Sequence, residues 1–155
     1  MKEKVAFLDE AVSLAFENIE QDGRPFGALV VKDGKVIARA VNRMEADSDP
    51  TAHAELLALR EAGRVLGSPK LEGCEVYASG QPCAMCTAAM RMAGIREFYY
   101  AYSHDQALAF GLSTPAVASD VSKLLDGDAE FSICHLPPGE GTPHLFEAWQ
   151  SRRKR

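Results

Sequence analysis

Two short segments carry residue types on which chemistry can be built. In DPTAHAELLALREAG (residues 49–63) His53 and Glu55 stand two apart, and in SGQPCAMC (79–86) Cys83 and Cys86 stand three apart. Thr51 is a reasonable N-cap, and Leu56, Leu57, Leu59 and Ala62 continue as a helical apolar stripe. Residues 52–66 therefore read as an amphipathic helix with His53 and Glu55 in its first turn. A glutamate there interacts favourably with the positive helix end, whereas a histidine has no local explanation, being a middling helix former that prefers the other end when charged. Pro82 suits the start of a second helix closed by Gly94, and the i, i+3 spacing of the two cysteines puts both sulfurs on one helix face.

Imidazole and thiolates are zinc ligands, and a site with three protein donors leaves a fourth position for water. His53, Cys83 and Cys86 make such a set, for one Zn²⁺ per chain. Thiolates at helix N-termini are stabilised by unpaired N–H groups and the macrodipole. They also offset the metal's charge, which the two helix ends partly restore. In open zinc sites the pKa of bound water falls to about 7, from roughly 15.7 in bulk. Glu55 beside the metal can take a proton from water and deliver one to a ring nitrogen or a departing amine, a role worth about 10²–10⁴-fold. Each feature alone has a plainer account: PCAMC as a redox motif or half a structural zinc site, His53 as a hydrogen-bonded buried histidine. Cys74 is the nearest candidate for a closing fourth ligand, but it starts a strand some distance before the pair. Cys134 and His135 point to opposite faces if their segment is a strand, and His104 and His144 are not expected to be ligands.

The elements around these segments must bring the donors together. Val5, Leu8, Val12, Ala15, Phe16 and Ile19 recur at helical spacing, which predicts a first helix ending within 18–23. Asp33-Gly34 between two valine-rich runs predicts an antiparallel hairpin of 26–32 with 35–41. Further strands are expected at 74–79 and near REFYYAYS (96–103), a fifth at 130–136, and helices at 106–110, around 117–125, and at the C-terminus with Leu145, Phe146 and Trp149. That order predicts a single domain, residues 1–155, built as a three-layer α/β/α sandwich with a central mixed five-stranded sheet. A right-handed crossover would bring both helix N-termini to one edge of that sheet.

The bulk properties exclude several classes. With 155 residues, 46% apolar content and a formal charge of −5, one soluble domain without a basic field for nucleic acid is expected. The basic run 152–155 reads as a solvated tail. Neither a secretory signal nor a membrane-spanning run is visible, and four cysteines in an apparently cytoplasmic chain favour metal or catalysis over disulfides.

HAE followed by PCxxC, together with PFGALVV, DPTAHAE and FYYAYSHD, resembles the zinc-dependent nucleobase and nucleoside deaminases of the cytidine deaminase-like superfamily. The similarity is greatest to the guanine deaminase branch, with the tRNA adenosine deaminases next. It extends over almost the whole chain; Gln81 departs from the glutamate these branches usually carry before PCxxC. The resemblance implies hydrolytic deamination of a small aminated purine, guanine to xanthine plus ammonia, by a homodimeric enzyme. It assigns substrate contacts to Asn42 and Phe26, and to Asp105 a role in proton transfer to the leaving amine. Small Ala54, between ligand and acid, would let the backbone approach a base. Competing local roles are an Asx turn for Asn42, core packing for Phe26 and a helix N-cap for Asp105. The alternatives are editing of adenosine in tRNA, deamination of cytosine, guanosine or an aminated triazine, and a non-catalytic zinc-stabilised interaction module. The lysine-threonine-glycine run of the tRNA-acting branch is absent after Asp105. The C-terminal helix either closes over the pocket, packs on a second subunit, or covers its own domain.

Overall fold

The computed structural model describes residues 1–112, 115–126, 135–139, 141, 143 and 145–153. The chain divides into two compact units, Met1–Asp120 and Val121–Arg155. The first contains α1 (Lys2–Glu20), β1 (Gly27–Lys32), β2 (Lys35–Val41), α2 (Met44–Asp47), α3 (Ala54–Leu66), β3 (Cys74–Gly80), α4 (Ala84–Ala93), β4 (Glu97–Tyr102) and α5 (His104–Leu108). The division falls within α6 (Pro115–Leu125). In the second unit α7 (Leu145–Arg153) is helical, with Ser151 Oγ donating to the Glu147 carbonyl at 2.8 Å. Among the described residues no helix is long and apolar enough to cross a membrane.

Asp33 and Gly34 both take positive φ, 49° and 72°, as the tight turn of a two-residue hairpin requires. The sheet order is β2-β1-β3-β4, with β1 antiparallel to both its neighbours and β3 parallel to β4 across the α4 connection. The mixed sheet thus has four strands among the described residues, not the expected five. Most of the predicted fifth strand, residues 130–134, lies outside the described residues. His135 and Leu136 carry no regular structure, and the two prolines that follow have no N–H to give a ladder. Cys134 and His144 also lie outside the described residues.

Side chains alternate across the sheet and define its two covered faces. Ala28, Val30, Val76 and Ala78 pack with Ala54, Ala58 and Ala62 of α3 and Met90 of α4. On the other face Leu29, Val31 and Tyr77 pack with Ala11 of α1. Helices on both faces make the three layers. Val30 faces Ala38 but Val31 faces Val36, so Ile37 is a bulged extra residue. It joins the α3-side core together with Ala38, which adds apolar cover without a longer strand. Tyr77 is fully buried, stacked on Tyr99 with ring centroids 5.0 Å apart and tilted against Phe7 at 5.1 Å. Its hydroxyl donates to the Glu75 carboxylate, which removes the cost of burying an unpaired O–H.

Helix α1 does not bury its whole apolar stripe. Ala11 and Ala15 are buried, but Phe16 is 62% and Ile19 47% exposed. The reason lies in Gly27, where a Cβ would come within 2.5 Å of the Ala11 carbonyl oxygen and 2.8 Å of Leu14 Cβ. The helix backbone presses directly on the strand at that point, so only small side chains fit between them and the larger ones splay to the flank. Gly27→Ala should push α1 off the sheet and cost about 1–3 kcal/mol, the usual penalty for overpacking. Calorimetry or thermal circular dichroism should then show Tm lower by several degrees; an unchanged Tm would contradict the close contact.

Candidate active site

His53 and Cys83 stand immediately before α3 and α4 as their N-cap residues, both with extended backbone (φ −74°, ψ 148° and φ −73°, ψ 172°). Thr51, expected to cap α3, instead donates its N–H and hydroxyl to Asp49 Oδ1 at 2.8 and 2.7 Å. The helix consequently starts later, which places His53 at the cap and Glu55 in the first turn. Cys83 Sγ accepts the N–H of Cys86 at 3.5 Å, so a sulfur does what a serine or aspartate oxygen does at an ordinary N-cap. Because α3 and α4 pack on the same face of the sheet, the two helix starts converge.

His53 Nδ1 lies 3.5 Å from Cys83 Sγ and 3.6 Å from Cys86 Sγ. With Zn–N of about 2.0–2.1 Å and Zn–S of about 2.3 Å, tetrahedral N and S ligands stand about 3.6 Å apart. The donor set fits zinc in both chemistry and spacing. Among the described residues these three form the group able to hold a metal. Cys74, the candidate fourth ligand, begins β3 while the pair follows the strand's other end, about 20 Å away at the usual rise per residue. Glu55 is buried, and its Oε2 is 3.3 Å from Cys86 Sγ.

The electrostatics follow from this crowding. The hydrogen bond from Cys86 holds the Cys83 thiol below its ordinary range, with the His53 ring and the Cys86 main chain acting in the same direction. Cys86, facing that sulfur, buried and beside Glu55, is pushed up. Burial raises Glu55, and the contact with Cys83 raises His53. Two sulfurs and a carboxylate in one buried corner disfavour further negative charge, and a divalent cation relieves that conflict.

Glu55, His53 and Cys83 line a cavity of about 730 Å³, which Ala54, Asn42 and Phe26 line as well. Asn42 is buried, and its Oδ1 accepts the Met44 N–H at 3.0 Å. The Asx turn is therefore present, and it leaves the amide N–H₂ as the polar edge still to be used. Phe26 packs against the core under α3 and lies so close to Gly80 that a Cβ there would stand 3.1 Å from its ring. It serves core and cavity together. Asp105 is brought to neither expected place: it is exposed and does not line the cavity. The α5 cap is Ser103, which forms a capping box with Gln106. That phasing turns His104, Gln106 and Ala107 to the cavity and Asp105 to solvent.

Gln81 joins the starts of α4 and α5. Its Oε1 accepts the His104 N–H at 3.0 Å, its carbonyl accepts His104 Nε2 at 3.1 Å, and its N–H donates to the Tyr102 carbonyl at 2.8 Å. His104 is thus a tie and not a ligand. The acceptor required of residue 81 is available from a carboxamide, which accounts for the tolerance of glutamine there. Sequence reasoning did not assign Val12, Phe16 and Ile19 of α1, or Arg24, to the cavity. The signal of the three α1 residues was the over-wide apolar stripe of that helix, broader than one packed face needs. Arg24 is held at 3.0 Å by Glu45.

Residues 1–102 match the family model of the cytidine and deoxycytidylate deaminase zinc-binding region. Guanine deaminase of Bacillus subtilis is 39% identical over 148 residues, covering 94% of this chain and 92% of that one. The tRNA-specific adenosine deaminase of Agrobacterium fabrum is 43% identical over 100 residues, covering 64% of this chain and 66% of that one. The X-ray structure of the Bacillus subtilis guanine deaminase is similar with a TM-score of 0.81 at 32% identity, covering 97% of this chain and 93% of that chain.

Purified protein should contain about one zinc per chain by elemental analysis, and His53→Ala or Cys83→Ala close to none. Chelation should lower the Tm of the parent chain, because an ion bound only by the folded state stabilises it. Full zinc content in either variant would remove that residue from the ligand set.

Proposed function

The chain belongs to the cytidine and deoxycytidylate deaminase zinc-binding family, and we propose that it hydrolyses a free aminated purine, guanine foremost, to the oxo-purine and ammonia. The observation that carries this is Glu55, a buried carboxylate 3.3 Å from a ligand sulfur in a cavity also lined by Asn42 and Phe26. Similarity to a guanine deaminase over 94% of the chain supports the choice of base. The match to a tRNA-specific enzyme stops at 64%, and a net charge of −5 is a poor field for binding a polyphosphate.

His53, Cys83 and Cys86 would hold the zinc. When bound, the ion supplies Lewis acidity that lowers the pKa of a water toward about 7. Burial raises the Glu55 carboxyl from its ordinary value, which makes it a stronger proton acceptor than an exposed carboxylate. Its carboxylate takes one proton as water adds to the amine-bearing carbon and gives it to the adjacent ring nitrogen. A second transfer from Glu55 to the amine nitrogen lets the carbon–nitrogen bond break with ammonia as leaving group. Water supplies the oxygen and both protons, so the reaction balances as base plus water to oxo-base plus ammonia. Asn42 donates from its free amide edge to an acceptor on the base, Phe26 covers a ring face, and Ala54 keeps the first turn of α3 small enough for close approach. Asp105, which faces solvent, is given no step. Cytoplasmic location and assembly with a second copy belong to the same reading.

Ammonia release from a panel of bases, nucleosides and tRNA tests it. Guanine should be the best substrate and tRNA should give none; silence with every guanine-like compound ends the assignment. Glu55→Gln should lower kcat by about 10²–10⁴-fold while zinc content and Tm hold. Unchanged turnover in that variant would leave only a zinc-stabilised binding module.

A further inference from the structure

We infer that Asn18, a residue of α1, is the positioning residue that holds the base-reading edge of Asn42 in place. Asparagine is a weak helix former and a buried amide is costly unless paired, so its presence on the covered side of α1 calls for partners. Its Nδ2 donates to the Arg24 carbonyl at 2.7 Å and to the Asn42 carbonyl at 3.0 Å. Carbonyl oxygens only accept, so this nitrogen spends both its hydrogens. The two acceptors lie on the segment that enters β1 and the segment that leaves β2, and both residues line the cavity.

The neighbouring chain is built around that amide. Gly23 donates its N–H to the Asn18 carbonyl at 2.8 Å, and Asn42 donates its own to the Phe26 carbonyl at 3.0 Å. A Cβ on Gly23 would sit 2.5 Å from Asn18 Nδ2 and 2.6 Å from its Oδ1, so the missing side chain leaves the room that Asn18 occupies. Met44 meanwhile holds Oδ1 of Asn42 at 3.0 Å. Asn42 is thereby tied at its side-chain oxygen by Met44 and at its main-chain oxygen by Asn18, and the direction of its N–H₂ follows. This inference rests on the base contact proposed for Asn42.

Steady-state kinetics with guanine on N18D, G23A, N42A and the doubles N18D/N42A and G23A/N42A test it. N18D keeps the shape but aims a carboxylate at two carbonyl oxygens, and G23A displaces the same amide by contact alone. N18D should raise KM about tenfold with kcat changed less than about threefold and zinc content kept, the pattern of a lost binding interaction. G23A should shift KM in the same direction. On the N42A background neither should raise KM further, because both act through one contact. Unchanged KM in the folded single variants, or increases that multiply with that of N42A, would overturn the inference. If N42A itself leaves KM at the parent value, the base contact falls with it, whereas a raised KM in N42A with none in N18D removes the role of Asn18 alone. Should N18D not fold, G23A and its double decide the question in the same terms.

Discussion

Two helices have to begin at the same place for this site to exist. His53 and Cys83 occupy N-caps, positions where the backbone leaves its donors unpaired and its dipole points positive end outward. A thiolate at such a position is stabilised twice, by the N–H it accepts and by the field of the helix. The imidazole gains no cap bond, and its value there is geometric: it stands 3.5 and 3.6 Å from the two sulfurs. Packing α3 and α4 on one face of the sheet brings these caps together, so the alanine-rich contact between helices and strands is also what spaces the donors.

The same convergence explains how a carboxylate comes to be buried nearby. Glu55 lies in the first turn of α3, where a negative charge is locally favourable, yet it is buried and its pKa is raised for that reason. Sulfurs on one side and apolar walls on the other leave it little to pair with except a cation and a proton. A group in that condition is poorly suited to structural work and well suited to exchanging protons.

The cavity wall is held by ties that cross between elements. Gln81 fastens the start of α4 to the start of α5 through His104, and Asn18 fastens α1 to the ends of the hairpin. Both are carboxamides answering main-chain groups. Neither carries charge into a region already holding two sulfurs and a glutamate. A carboxylate at 81 would accept the same N–H, so the difference from the usual pattern touches the local charge and leaves the scaffold as it is.

The grouping of His53, Cys83 and Cys86 as possible metal donors, the place of Glu55 beside them, the hairpin turn and the helix ending at Gly94 were legible from short-range rules: spacing of i, i+2 or i, i+3, a two-residue turn with positive φ, a glycine C-cap. These depend on backbone geometry within a few residues and survive without knowledge of the fold. Asp105 is not the α5 cap and faces solvent because a capping box from Ser103 to Gln106 sets the phase of that helix, and one position along a helix turns a side chain by about 100°. The place of Thr51 was missed because its hydroxyl, the group a cap would use, turns back to Asp49. Val12, Phe16 and Ile19 were not assigned to the cavity, since that role depends on which side of α1 the sheet covers, and that is decided by the missing Cβ of Gly27. By itself, then, the sequence determined which donors were available and how neighbours along the chain were spaced. Only tertiary structure decided which of them share a cavity, because that depends on contacts between segments far apart in the chain, whose energies come from packing and are not written in any local pattern.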